Sequence, residues 1–129
     1  MAAPLLLDPS ALLTLRDDET GAARLERALE QPQRFHNCFL TCMEVLYRVW
    51  KDEDERACRL AYEQLKALPL LWIEASEPLL DLAASTKARD ALSVADAWIA
   101  AAAQQVGATL LHKDPAFRAM ADLSQEWLC

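Results

Sequence analysis

The chain has 129 residues, 53% of them hydrophobic, with two glycines and no low-complexity tract, which fits one globular domain over 1–129 and excludes a disordered chain. Its formal charge of −7 excludes nucleic-acid binding by overall attraction, so any such role needs a metal or a local basic patch. No apolar run reaches the roughly 18 residues of a membrane span, and the opening MAAPLLLD lacks the basic region of a signal peptide, so a cytoplasmic protein without a membrane partner is expected. Cys38, Cys42, Cys58 and Cys129 match no zinc spacing and read as free thiols in a reducing compartment.

Pro4 to Leu7 reads as a short apolar strand ending at Asp8, which precedes Pro9 as an N-cap precedes a first-turn proline. A helix from Pro9 to about Leu15 follows, then a charged loop and a second helix from Gly21 to Leu29. Phe35 to Leu40 is the next strand. Thr41 and Glu44 stand at capping-box spacing, and the helix behind them runs to about Lys51. A helix from about Asp54 to Leu68 is expected to bury Ala57, Leu60, Ala61 and Leu65. Pro69 leads into a strand from Leu70 to Glu74, and Ser76 caps a helix through about Arg89 with Leu79, Leu80 and Ala83 inward.

The most informative stretch is LSVADAWIAAAAQQVGATLLHKDPAF, Leu92 to Phe117. Ser93 is an N-cap, Asp96 lies in the first turn where the helix dipole favours a carboxylate, and Gly107 ends the helix. Ala108 to Leu111 reads as a buried strand, with Asp114 and Pro115 behind it. A tight turn at Gly107 makes the helix antiparallel to that strand. Asp96 at the helix start and Asp114 after the strand end therefore reach one edge of the sheet. The tail to Cys129 reads as a short helix and an edge strand near Trp127. Strands alternating with helices give an α/β fold, with parallel strands and helices on both faces. Ligands bind such sheets outside the strand C-termini.

Four acids stand out: Asp8, Glu44, Asp96 and Asp114. Each has a purely structural account. Asp8 and Asp114 are N-caps, Glu44 is half of a capping box, and Asp96 is a first-turn acid. Together, however, they converge on the C-terminal edge of one sheet, where they would repel one another. A divalent cation relieves that repulsion, and Mg²⁺ or Mn²⁺ prefers oxygen ligands. Such an ion can activate water for displacement at phosphorus. Other chemistries fit less well. No Gly-rich phosphate loop is present, Ser10 lacks a nucleophile-elbow context, and neither His36 nor His112 has an evident partner, so both read as surface or packing residues.

The blocks LLLDPSALL, TCMEVLYR, LSVADAWIAAAA and GATLLHKDPAF resemble the PIN domain, and more narrowly the VapC-type toxins of bacterial toxin–antitoxin pairs. The resemblance spans nearly the whole chain. It implies a three-layer α/β/α fold with a central parallel sheet of four or five strands, and a metal-dependent endoribonuclease. By the same resemblance Asp8, Glu44, Asp96 and Asp114 form the catalytic acid set, Asp8 and Asp96 hold Mg²⁺ or Mn²⁺, and Ser10 is the small polar residue supporting Asp8. RNA is the implied substrate, an antitoxin the implied partner, and a homodimer the implied assembly. The antitoxin is expected as an amphipathic segment in a groove between helices, with a basic side chain near the acids. The charge of −7 is compatible with an RNA substrate if Arg16, Arg48, Lys87, Arg89 and Lys113 gather near the cleft. One departure is His112-Lys113-Asp114 where the family commonly has Thr-x-Asp, which puts the hydrogen bonding behind Asp114 in question. An inactive PIN-like interaction module is the alternative. A haloacid-dehalogenase-like phosphatase would want a second aspartate at position 10, where this chain has Ser10.

Overall fold

The computed structural model describes residues 3–128. Its strands are β1 (Leu5–Leu7), β2 (Phe35–Cys38), β3 (Leu71–Ile73), β4 (Thr109–His112) and β5 (Gln125–Trp127). They form one sheet in the order β3-β2-β1-β4-β5, every neighbouring pair parallel. Parallel neighbours need crossovers, and between β1 and β4 these are helices: α1 (Pro9–Arg16), α2 (Ala22–Leu29), α3 (Phe39–Asp52), α4 (Glu55–Ala67), α5 (Glu77–Arg89) and α6 (Val94–Val106).

Successive strand side chains alternate between faces, so a sheet covered twice is apolar at most of its central positions. In β1, Leu6 packs under α5 and α6 with Leu79, Ala83, Ile99 and the alanine run Ala100–Ala103. Leu7 packs on the other face with Leu12 of α1, Val45 and Val49 of α3, and Ala61 and Leu65 of α4. The small alanine side chains let α6 lie close on the sheet. The result is the α/β fold expected, with helices on both sides of five parallel strands.

Caps fix most boundaries. Ser93 Oγ accepts from the Asp96 N–H at 3.1 Å, and Gly107 ends α6 at φ 67°, a left-handed conformation that glycine adopts without strain. Ser76 and Asp54 cap α5 and α4 in the same way. Gly21, at φ 103°, is needed twice over, because a Cβ there would meet Leu128 Cγ at 3.0 Å.

Several expectations need correction. β2 stops at Cys38 and α3 begins at Phe39, so Thr41 lies inside the first turn rather than capping it. No Thr41–Glu44 capping box forms, and Thr41 Oγ1 is buried without a partner. Leu60 and Leu80, expected inward, are 59% and 51% exposed. β4 is one residue further along than expected and ends on His112. The tail is a 3₁₀ turn, Pro115–Ala119, followed by β5. Cys38, Cys42 and Cys58 are free and buried, and Cys129 lies outside the described residues. Among the described residues no helix is long and apolar enough to cross a membrane.

Candidate active site

Asp8 follows β1 directly and is the N-cap of α1. Its Oδ2 accepts from Ser10 twice, from the backbone N–H at 3.0 Å and from Oγ at 2.5 Å. Ser10 Oγ in turn accepts from the Lys113 N–H at 2.9 Å. One hydroxyl therefore holds the first acid and clips the chain leaving β4 to the start of α1. Asp8 is 3% exposed and its Oδ1 has no partner. Burial pushes its carboxyl up to about 7. The Ser10 bonds offset part of that, while the charges of Asp96 and Asp114 add to it.

Asp96 arrives in the first turn of α6 and Asp114 at the N-cap of the 3₁₀ turn, where its Oδ1 accepts from the Ala116 N–H at 2.9 Å. Glu44 comes from the second turn of α3. Burial raises Asp96 to about 6, helped by Asp114 and Glu44. Glu44 is also raised, by burial and then by Asp114, against a lowering pull from Arg48. The four acids thus line one cleft of about 580 Å³ together with Ser10. The repulsion inferred from sequence is present: each raised carboxyl has another of the four acids among its causes.

The basic residues divide. Arg16, Arg48 and Lys113 line this cleft. Lys87 lines a separate apolar depression between α5 and α6, and Arg89 lines neither. Arg16 is held by Asp17 and Glu53, both at 2.8 Å.

His112 corrects the reading of a histidine without partners. It is 1% exposed, and its two ring nitrogens meet the Asp114 N–H and Gln125 Oε1. Burial lowers its pKa, which keeps the ring neutral. A side chain two residues before an acid is within reach of that acid's N–H, which was a signal available in the sequence. Gln125 was not findable that way, because only the β4–β5 pairing brings it close.

The donor set fits a hard divalent cation. It offers carboxylate oxygens, one buried oxygen without a partner, and carboxyls raised first by burial and then by the charge of neighbouring acids. Among the described residues no three such side chains already form a ligand cluster. Mg²⁺, which keeps several waters and takes one or two carboxylates, needs none.

The family model of the PIN domain matches residues 5–123. Comparison with curated proteins found no match. Among solved structures, a toxin–antitoxin complex from Klebsiella pneumoniae contains a chain 21% identical, aligned over 97% of this chain and 98% of that one at TM-score 0.75. DNA-bound VapBC from Salmonella typhimurium is 16% identical over 99% and 100%, at TM-score 0.80. VapC20 of Mycobacterium tuberculosis, described as a sarcin–ricin loop cleaving toxin, is 15% identical over 91% and 95%, at TM-score 0.74. At such identities the structural likeness concerns the fold. The family match covers most of the chain, including β1, the acid-bearing starts of α3 and α6, and the turn after β4, and by it this protein belongs to the PIN domain family.

Proposed function

We propose that this protein is a Mg²⁺- or Mn²⁺-dependent endoribonuclease, the VapC-type toxin of a toxin–antitoxin pair, acting in the cytoplasm as a single PIN domain over 1–129. The observation that carries the reading is Asp8 Oδ1, a buried carboxylate oxygen without a partner in a cleft with three more acids. A buried ionised group with an open lone pair is costly unless a cation meets it.

Asp8 and Asp96 would hold the ion, and Glu44 and Asp114 complete the acidic pocket. When bound, the ion supplies charge stabilisation at phosphorus and a more acidic water. Ser10 fixes which Asp8 oxygen is committed to the protein, so the other keeps one direction. Arg48 and Lys113 at the cleft wall are placed to meet phosphates, and together they answer the objection raised by the net charge of −7. Arg16 is less available, since two carboxylates already hold it.

Two partner surfaces support the rest of the reading. A groove of about 380 Å³ is lined by Leu12 and Leu15 of α1, Val45 of α3, Ala61 and Leu65 of α4, and Leu68 just after it. An amphipathic antitoxin segment fits such a groove, and toxin–antitoxin complexes are among the similar folds. Met43, Tyr47 and Trp50 form an exposed apolar row on α3, which a second copy would cover as a homodimer.

The test is Asp96→Asn against Asp54→Asn. Asp54 caps α4 through its Oδ1 at 2.8 Å from the Ala57 N–H, and asparagine caps equally well. Asp96→Asn should abolish both Mn²⁺-dependent cleavage of a mixed RNA pool and the Mn²⁺-induced rise in Tm. Asp54→Asn should leave both intact. Full metal-dependent cleavage by Asp96→Asn would sink the proposed site.

A further inference from the structure

His112 ends β4, buried on the face that α6 covers. Its Nδ1 lies 3.0 Å from the Asp114 backbone N–H, and its Nε2 lies 2.9 Å from Gln125 Oε1. Gln125, on β5, removes the ambiguity about the ring proton. Its Nε2 donates to the carbonyls of Phe117 at 2.8 Å and Met120 at 3.2 Å. Those two acceptors fix the amide, so its oxygen faces the histidine. An amide oxygen only accepts, so His112 Nε2 must carry the proton. Nδ1 then has the lone pair that the Asp114 N–H requires. Both ends of the ring demand one neutral tautomer. The Phe117 and Trp127 rings flank it, with centroids 5.0 Å and 5.5 Å away.

A side chain that accepts from the N–H two residues ahead is the geometry of an Asx or ST turn, normally made by Asn, Asp, Ser or Thr. Here an imidazole makes it. Asp114 is thereby held twice, at its N–H by His112 and at its carboxylate by the Ala116 N–H. We infer that His112 and Gln125 are positioning residues that set the placement of the Asp114 carboxylate in the acidic cleft, with His112 acting as a hydrogen-bond acceptor. Its consequence for metal and RNA rests on the nuclease reading above. The tautomer and the hold on Asp114 do not.

Acceptor and packing roles predict opposite orders for two variants. His112→Asn keeps an acceptor at turn geometry and loses the ring. His112→Phe keeps a ring and loses the acceptor. Positioning predicts that His112→Asn keeps protection of the Asp114 amide from hydrogen exchange and binds Mn²⁺ nearly as wild type does. His112→Phe should lose that protection and bind Mn²⁺ about tenfold to a hundredfold more weakly, even if it melts no lower. A packing role predicts the reverse. Ring ¹⁵N spectra of the metal-free wild type should show the neutral Nε2–H form. If those spectra and the amide protection appear but the wild type neither binds Mn²⁺ nor cleaves RNA, the nuclease reading fails and the relay stands. If the wild type binds and cleaves while the ring carries its proton on Nδ1, or while His112→Phe keeps protection and affinity, the relay is overturned. Should His112→Phe fail to fold, the wild-type tautomer decides alone.

Discussion

Asp8→Asn should make the metal-free protein more stable, not less, at pH 8. The folded carboxyl lies at about 7 against an ordinary value of 3.8. A group whose folded pKa is raised in this way binds more protons in the folded state than in the unfolded one between those two values. Stability therefore falls as pH climbs from about 4 to about 7, and levels off beyond. The gap of roughly three units corresponds to about 4 kcal/mol at the top of the window. Asparagine removes that penalty and can still offer its oxygen to the Ser10 N–H and Oγ. Its amide then sits where Oδ1 has no partner, and an unpaired buried amide returns about 1–3 kcal/mol. The net gain is on the order of 1–3 kcal/mol, or roughly 4–12 °C in Tm.

The assay is Tm against pH from 5 to 8, with and without saturating Mn²⁺, read as the difference between wild type and variant so that other titrating groups cancel. Without metal the variant's advantage should grow with pH. With Mn²⁺ the wild type should recover, because the cation favours the ionised carboxylate, and the variant should not respond. A variant less stable than wild type at pH 8 without metal, or one still stabilised by Mn²⁺, would refute the reasoning.

Two further outcomes concern the partners. Leu68→Glu places a charge in the groove between α1, α3 and α4, and should weaken antitoxin binding by tenfold or more while sparing RNA cleavage. Titration of the isolated chain with its antitoxin checks this, and Glu44→Lys with unchanged antitoxin affinity would remove the basic side chain from the acids. For the homodimer, Trp50→Glu should shift the mass from two chains to one in light scattering, and a wild type already monomeric at micromolar concentration would end that reading.

The parts of the fold that were legible in the sequence are those with local causes. Ser93, Asp96 and Gly107 announce the two ends of α6, and the structure keeps both ends. Asp8 before Pro9 announces α1 in the same way. The β2–α3 boundary was misread because no proline, glycine or capping side chain separates Cys38 from the apolar pair Phe39-Leu40. A buried strand and the buried start of a helix look alike by periodicity, and Cys38 at the N-cap makes no side-chain cap bond. The error favoured the site: Glu44, released from a capping box that does not form, is left facing the cleft. Leu60 and Leu80 were placed inward on apolarity alone, which carries little weight for a single leucine. Of the five basic residues whose gathering would offset the charge, three line the cleft, while Lys87 and Arg89 sit on the last turn of α5.

For Asp8 and Asp114 the sequence could not separate capping from a role in the acidic cleft, because the structure gives each of them both. A carboxylate has two oxygens. Asp8 commits Oδ2 to Ser10 and the start of α1, and leaves Oδ1 without a partner. Asp114 commits Oδ1 to the Ala116 N–H, yet its charge still raises Asp8, Glu44 and Asp96. One oxygen serves the backbone and fixes direction, and the rest of the group faces the cleft. Parallel strands make this arrangement natural, since β1 and β4 each lead into a helical N-terminus whose free N–H groups want an acceptor. Acids placed there for capping already converge on one edge. Removing the charge while keeping the shape therefore separates the two duties, because asparagine retains the capping oxygen and loses only what a cation would need.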